Sequence, residues 1–318
     1  MISLIKASEN VVQDCLGVKK GEEVLIIIDE KSRKIGKALY KVCSEIRAEA
    51  MLVEIIERDT HGSEPPKTIA EAMKHATVVI APTTKSLSHT EARRNATEAG
   101  VRMATMPGIT EEVMIRTMSS DYTGIADLST RIAKVLSNGK TARVTSPGGT
   151  DITMSINGRT AIPDTGILHE AGSFGNLPAG EAFIAPIEGS SNGKIVIDGA
   201  MAGIKELDSP ITVIVESGNV KDIQGGKSAE ELTQIIESTK DRNAKNLAEL
   251  GIGTNENAEL SGNLLEVEKV LGTVHIAFGD NKSFGGRVKA PIHIDGVILK
   301  PTLTVDDRTI ISGGKILL

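Results

Sequence analysis

The chain has almost no aromatic residues: no Trp, two Tyr and four Phe, 2% of 318 residues. That scarcity argues against the stacking platforms on which single-stranded nucleic acid is held. It also requires a core built from Ile, Val, Leu, Ala and Met. Cysteine is equally scarce. Cys15 and Cys43 are the only two, and neither belongs to a CxxC pair. They exclude a disulfide scaffold and read as reduced thiols of a cytoplasmic protein. No apolar run approaches the ~20 residues needed to span a bilayer. The opening MISLIKASENVVQDCLG has no signal-peptide core and reads as an amphipathic helix. A basic block is also missing. Lys plus Arg is 36 against 42 Asp plus Glu, a formal net charge of −6, which argues against nucleic acid or an anionic membrane as a partner. No Gly-rich phosphate loop is present, since Gly193, Gly199 and Gly203 are not in GxGxxG order. Gly225 and Gly226 read as a turn before a helix rather than an anion site.

What is there is ordinary for a soluble protein: 40% hydrophobic and 25% charged residues, enough to bury a core without a structural metal. The length suggests about two domains, and the texture changes near residue 140. Before it, apolar runs of strand length alternate with helical spacing: Glu23 to Asp29, Ala50 to Ile56, Thr77 to Ala81 and Val101 to Thr105, with helices at Ser32 to Ile46, Pro66 to Lys74 and His89 to Ala99. Continuous apolar strands separated by helices predict a doubly wound parallel sheet covered on both faces. Helices from about Thr110 to Leu136 lead out of it. After Thr141, short strands and Gly turns predict a β-rich α+β domain. One helix, Ser228 to Leu250, interrupts it, with Ser228 as N-cap and Glu231 completing a capping box. The expected fold is thus α/β plus α+β, with domains 1–140 and 141–318.

Candidate chemistry gathers in the second half. In APIHIDGV, His293 and Asp295 share one strand face while Ile292 and Ile294 share the other. An HxD on one face is a natural pair of metal ligands, although hydrogen-bonded structural pairs share the pattern. His275 lies in an otherwise apolar strand, VLGTVHIAFGDN, where a lone His is more often a satisfied core residue. Two His and one carboxylate close in sequence form a set used by non-haem Fe(II) sites and by many zinc hydrolases. Glu181 opens the strand EAFIAP and is either a solvated strand end or a positioned ligand. Glu249 falls at the end of the expected helix, where its charge opposes the helix dipole. His89 and His169 read as surface or cap-adjacent residues.

Four stretches, NLPAGEAFIAP, AELGIGTN, LGTVHIAFGDN and HIDGV, together resemble the thermophilic metallo-aminopeptidases of the aminopeptidase T and aminopeptidase S type. PGITEEV and SLSHTEARRNA also resemble the family's shorter relatives. The resemblance implies two divalent ions, Zn, Co or Mn, held by Glu181, Glu249, His275, His293 and Asp295. One ion would activate water, and Glu249 would be the general base, or Glu181 if Glu249 bridges. It further implies a peptide substrate, a site in a cleft between the domains, and a homodimer. Two features depart from that family. The chain is shorter, and its C-terminal half has no Tyr after the HIAFG motif, leaving only Lys282 or Arg287 as replacements. The chain's length and its triad His275, His293 and Asp295 also resemble 2,5-dihydroxypyridine 5,6-dioxygenase, of the same superfamily. That implies a single Fe(II) on His275, His293 and Asp295, with Glu181 and Glu249 around it and a small aromatic substrate. His89 or His169 would be candidate acid/base groups in either scheme. A metal-binding protein that no longer turns over is the third reading.

Overall fold

The computed structural model describes residues 3–261 and 263–318. Met1 and Ile2 of the opening segment lie outside the described residues. The rest of that segment is helical, Leu4–Glu9 continuing as a π-helical stretch Asn10–Cys15, and it buries Ala7, Val11, Val12 and Cys15. The chain divides into two compact units, 1–124 with 165–179, and 125–164 with 180–318. This division falls differently from 1–140 and 141–318. Residues 165–179 return to the first unit because their strand Phe174–Asn176 pairs with Arg102–Thr105, a long-range pairing that no local pattern announces.

The first unit carries a five-stranded parallel sheet. Its order is Glu49–Glu54, Glu23–Ile28, Val78–Ala81, Arg102–Thr105 and Phe174–Asn176. Val24 to Ile28 are buried without alternation, as a strand covered on both faces requires. The helix Arg33–Glu45 buries Ile35, Ala38, Leu39 and Val42, the i, i+3, i+4, i+7 stripe of a helix laid on a sheet. The doubly wound α/β reading of this half holds.

The second unit contains two antiparallel sheets. One has eight strands, from Asn219–Gln224 at one edge to Lys315–Ile316 at the other. The other has six, in the order Ala200–Met201, His293–Ile298, Val274–Gly279, Leu247–Gly253, Glu181–Ile184 and Ile162–Asp164. Their inner faces share one core, to which the six-stranded sheet gives Ala182, Ile184, Leu250, Ile252, Val274, Ile276, Phe278, Ile294 and Ile298. Alternate residues of its four central strands are thereby committed to the core. Each large aliphatic side chain so buried contributes roughly 1.5–3 kcal/mol. The alternate residues are left for the opposite face.

The helix expected over Ser228 to Leu250 is shorter. It runs Lys227–Ser238 and stops where Lys240 takes a left-handed φ of 53°. A 3-10 turn Arg242–Lys245 follows, and then the strand Leu247–Gly253. Glu249 is therefore a mid-strand residue, not a helix terminus. The capping box is absent as well. Gly226 is the N-cap, and the Asp208 carboxylate accepts from the amides of Lys227 at 3.0 Å and Ser228 at 2.8 Å. A cap delivered from a separate loop leaves no local sequence signature.

Candidate functional site

Glu181, Glu249, His275, His293 and Asp295 come from four neighbouring strands and all belong to the second unit. Register sets their positions. Gly251 lies opposite His275, and Gly253 opposite Glu181. Ala277 lies opposite Asp295, and Gly279 opposite His293. Each polar residue therefore faces a glycine or alanine on one adjacent strand. The Glu249 strand reads E-L-G-I-G: Leu250 and Ile252 enter the core, while Glu249, Gly251 and Gly253 form the other face. Gly251 is required there, because a Cβ would stand 1.9 Å from His275 Nε2.

The ligand-type atoms gather into two overlapping groups. Glu181, Glu249 and His275 form one; Glu249, His293 and Asp295 form the other. Glu249 joins them. His275 Nε2 is 3.1 Å from Glu181 Oε2 and 3.4 Å from Glu249 Oε1. His293 Nε2 is 3.4 Å from Glu249 Oε2 and 3.5 Å from Asp295 Oδ1. All but His293 are buried; its side chain is 32% accessible, so the cluster opens at that end.

The His293 tautomer follows from its other nitrogen. Nδ1 is 2.8 Å from the Asp280 carbonyl oxygen, which can only accept, so Nδ1 carries the hydrogen. In the neutral ring Nε2 then turns a lone pair towards two carboxylates. That arrangement is repulsive unless a cation lies between them. N···O separations of 3.4–3.5 Å suit two donors on one ion bound at ~2.1 Å. Glu181 Oε2 and His275 Nδ1 are buried without hydrogen-bond partners. The donor set thus fits a divalent metal.

The electrostatics agree. Burial alone would lower both imidazoles, but Glu181 and Glu249 hold His275, and Asp295 and Glu249 hold His293, well above the usual range. Burial would raise Glu181, yet Lys269 and His275 bring it down to about 2. Glu249 is lowered against burial by His275 and His293. These carboxylates favour any positive charge placed among them, whether a proton or a metal ion.

Three charged neighbours have no signal in the sequence. Lys269 Nζ lies 2.5 Å from Glu181 Oε1, 3.7 Å from Asp164 Oδ2 and 3.8 Å from Glu268 Oε2. Burial works against its charge, and Glu181, Asp164 and Glu268 outweigh burial. Burial and then Asp295 push Glu268 up to about 8. Lys269 and Glu181 are 88 residues apart, too far for local pattern to connect.

Two of the four Phe residues also stand here. The Phe284 ring is 5.5 Å from Phe183 and 5.6 Å from the His293 imidazole, edge-on to both. The loop bearing Phe284 is pinned by Arg159, which donates to Glu188 and to the Gly285 carbonyl, and by Asn281, which donates to Glu188 at 3.1 Å. Lys282 and Arg287, the candidate replacements for the missing Tyr, are exposed on the same loop. His89 and His169 belong to the first unit; both are exposed, and His169 Nε2 lies 2.8 Å from the Asp14 carbonyl oxygen.

A family model described as NicX, 2,5-dihydroxypyridine 5,6-dioxygenase, matches residues 3–318. A 2,5-dihydroxypyridine 5,6-dioxygenase of Pseudomonas putida is 23% identical over 199 residues, 57% of this chain and 55% of that protein. The matched stretch thus spans about half the length of that curated relative. Among solved structures, the 2,5-dihydroxypyridine dioxygenase of Pseudomonas putida KT2440 gives a TM-score of 0.84 at 19% identity, covering 100% of this chain and 98% of that one. Wild-type AmpT from Thermus thermophilus gives 0.73 at 16% identity, covering 99% of each. At such identities both structures speak to the fold. The likeness to AmpT is therefore one of fold, and the family model that matches carries the dioxygenase description. The chain belongs to the NicX, 2,5-dihydroxypyridine 5,6-dioxygenase family.

Proposed function

We propose that this protein is a ring-cleaving dioxygenase that opens a small dihydroxylated aromatic ring of the 2,5-dihydroxypyridine kind, using one Fe(II). The observation that carries the reading is the family match across residues 3–318. It is supported by a buried His and carboxylate cluster whose donors suit a divalent ion. His275, His293 and Asp295 would hold the iron, with Glu249 between the two donor groups. Ferrous iron, when bound, supplies the one-electron chemistry that ground-state O2 needs before it reacts with a closed-shell ring. A dioxygenase places both oxygen atoms in the product, so no reductant is required.

The chain's own residues supply the rest. Asp280 fixes the His293 ring through Nδ1, which keeps Nε2 aimed into the cluster. Phe284 and Phe183 form an aromatic edge beside His293, the accessible end, suited to a planar ring. Glu249, kept ionised, can accept a proton from a ring hydroxyl. The homodimer forms part of this proposal, and a clean monomer in sedimentation at micromolar protein would remove it.

A second reading, a two-ion aminopeptidase, is favoured by one observation: Glu249 is shared between two donor groups, as a bridging carboxylate would be. The deciding experiment is O2 uptake by anaerobically purified, iron-loaded protein given 2,5-dihydroxypyridine. Substrate-dependent uptake that stops under argon supports the dioxygenase. Release of amino acids from dipeptides or anilides under argon, with no O2 uptake, would replace it with the hydrolase.

A further inference from the structure

We propose that Lys269 is a resident cation occupying the second cation position of the cluster, so that the chain takes one divalent ion rather than two. This rests on the metal-binding reading above. Two donor groups sharing Glu249 would by themselves seat two ions. Glu181, however, already has its cation. Lys269 Nζ lies 2.5 Å from Glu181 Oε1, with Asp164 at 3.7 Å and Glu268 at 3.8 Å. The Lys269 side chain is 5% exposed, so the ammonium cannot exchange its carboxylates for water and stays where they hold it. A divalent ion on the same carboxylate would stand within about 5 Å of that ammonium and be repelled in a weakly screened site. The two oxygens of Glu181 are thus divided. Oε1 belongs to Lys269, and Oε2, without a hydrogen-bond partner, faces His275 Nε2 at 3.1 Å. Lys269 acts as a positioning residue: it orients Glu181 and supplies permanently the charge that a second ion would bring.

Equilibrium dialysis against Mn2+, followed by elemental analysis, counts ions per chain. The expected counts are about one for wild type and for Lys269→Arg, and about two for Lys269→Met. Lys269→Met should also gain a Mn2+-dependent rise in Tm with a second binding step. Equal counts in wild type and Lys269→Met, or two ions in wild type, would overturn the assignment. Lys269→Met leaves three acids uncompensated. Should it not fold, the double variant K269M/D164N, which removes one acid with the cation, is counted in its place. The count is independent of turnover. A wild type holding one ion that opens no ring under O2 sinks the dioxygenase reading and leaves the assignment of Lys269 standing.

Discussion

Gly36 and Gly251 face the same steric problem in two different sheets. A Cβ on Gly36, in the helix over the parallel sheet, would stand 2.5 Å from Ile28 Cγ2. On Gly251 it would stand 1.9 Å from His275 Nε2. The first obstacle is an aliphatic side chain in a packed layer. The second is a buried imidazole held between Glu181 and Glu249. The parallel sheet uses both faces for packing. The six-stranded antiparallel sheet uses one face for its core and, on the other, sets Gly or Ala opposite each charged group so that those groups can lie on it. The candidate site lies on that second face.

The largest expected effect tests the asymmetry directly. Asp295→Ala removes a donor from the polar face. On the proposed dioxygenase reading, on which the iron and turnover expectations here all rest, iron content should collapse and kcat fall on the order of 10³-fold, the scale of losing a principal electrostatic group, with far-ultraviolet circular dichroism unchanged. Leu39→Ala in the first unit deletes a fully buried side chain. It should cost ~2–5 kcal/mol of stability while the folded fraction keeps its iron. Loss of iron from folded Leu39→Ala protein would break the division between packing face and site face.

The two glycines sharpen the same point at a smaller scale. Gly251→Ala should lower iron affinity or turnover about 10–100-fold, as displacing a ligand's support does. Gly36→Ala should cost roughly 1–3 kcal/mol through overpacking and leave turnover per folded molecule intact. Urea denaturation and iron titration on the same samples separate the two outcomes.

The asymmetry also explains which parts of the molecule could be read from sequence. The strand Glu23–Ile28 lies in an unbroken apolar run, and such runs announce a strand covered on both faces. His293 and Asp295 were legible because an HxD places both side chains on one strand face wherever the strand lies. Glu249 was visible as a candidate, but its strand was not. E-L-G-I-G has only two apolar residues, and its glycines resemble a helix stop followed by a loop. The alternation itself was the available signal: Leu250 and Ile252 inward, Glu249 and Gly251 outward. Lys269, Glu268 and Asp164 could not have been found that way. Their roles come from contacts across 88 residues and from strand order, and neither is encoded in a local window. Phe284 was hidden for the same reason, although four Phe in 318 residues already made each one worth placing.

A milder perturbation tests what the accessible end of the polar face does. Phe284→Ala removes the ring beside His293 without touching a donor. An aromatic contact is worth ~0.5–1.5 kcal/mol, so KM for a ring substrate should rise about 3–10-fold with kcat nearly unchanged. Steady-state O2 uptake against substrate concentration reads both. A fall in kcat with unchanged KM would mean that Phe284 supports His293 rather than the substrate.

The smallest effect should come from Asp208, which serves the fold of the second unit and not its polar face. The Ser228 hydroxyl and the amides of Ser228 and Lys227 hold its carboxyl down to about 2, against an ordinary value of 3.8. A group whose acidity is strengthened on folding stabilises the native state above its unfolded value and loses that contribution as pH falls towards the folded one. Asp208→Asn should therefore lower Tm by a few degrees at most at pH 7, the scale of a helix cap. The gap should be steady down to about pH 4, narrow between pH 4 and pH 2, and be nearly closed at pH 2. Iron content at pH 7 should not change. If Asp208→Asn lost iron, the polar face would depend on the helix cap. The independence of the two faces, which the Gly36 and Gly251 comparison implies, would then fail at the surface of the very unit that carries the site.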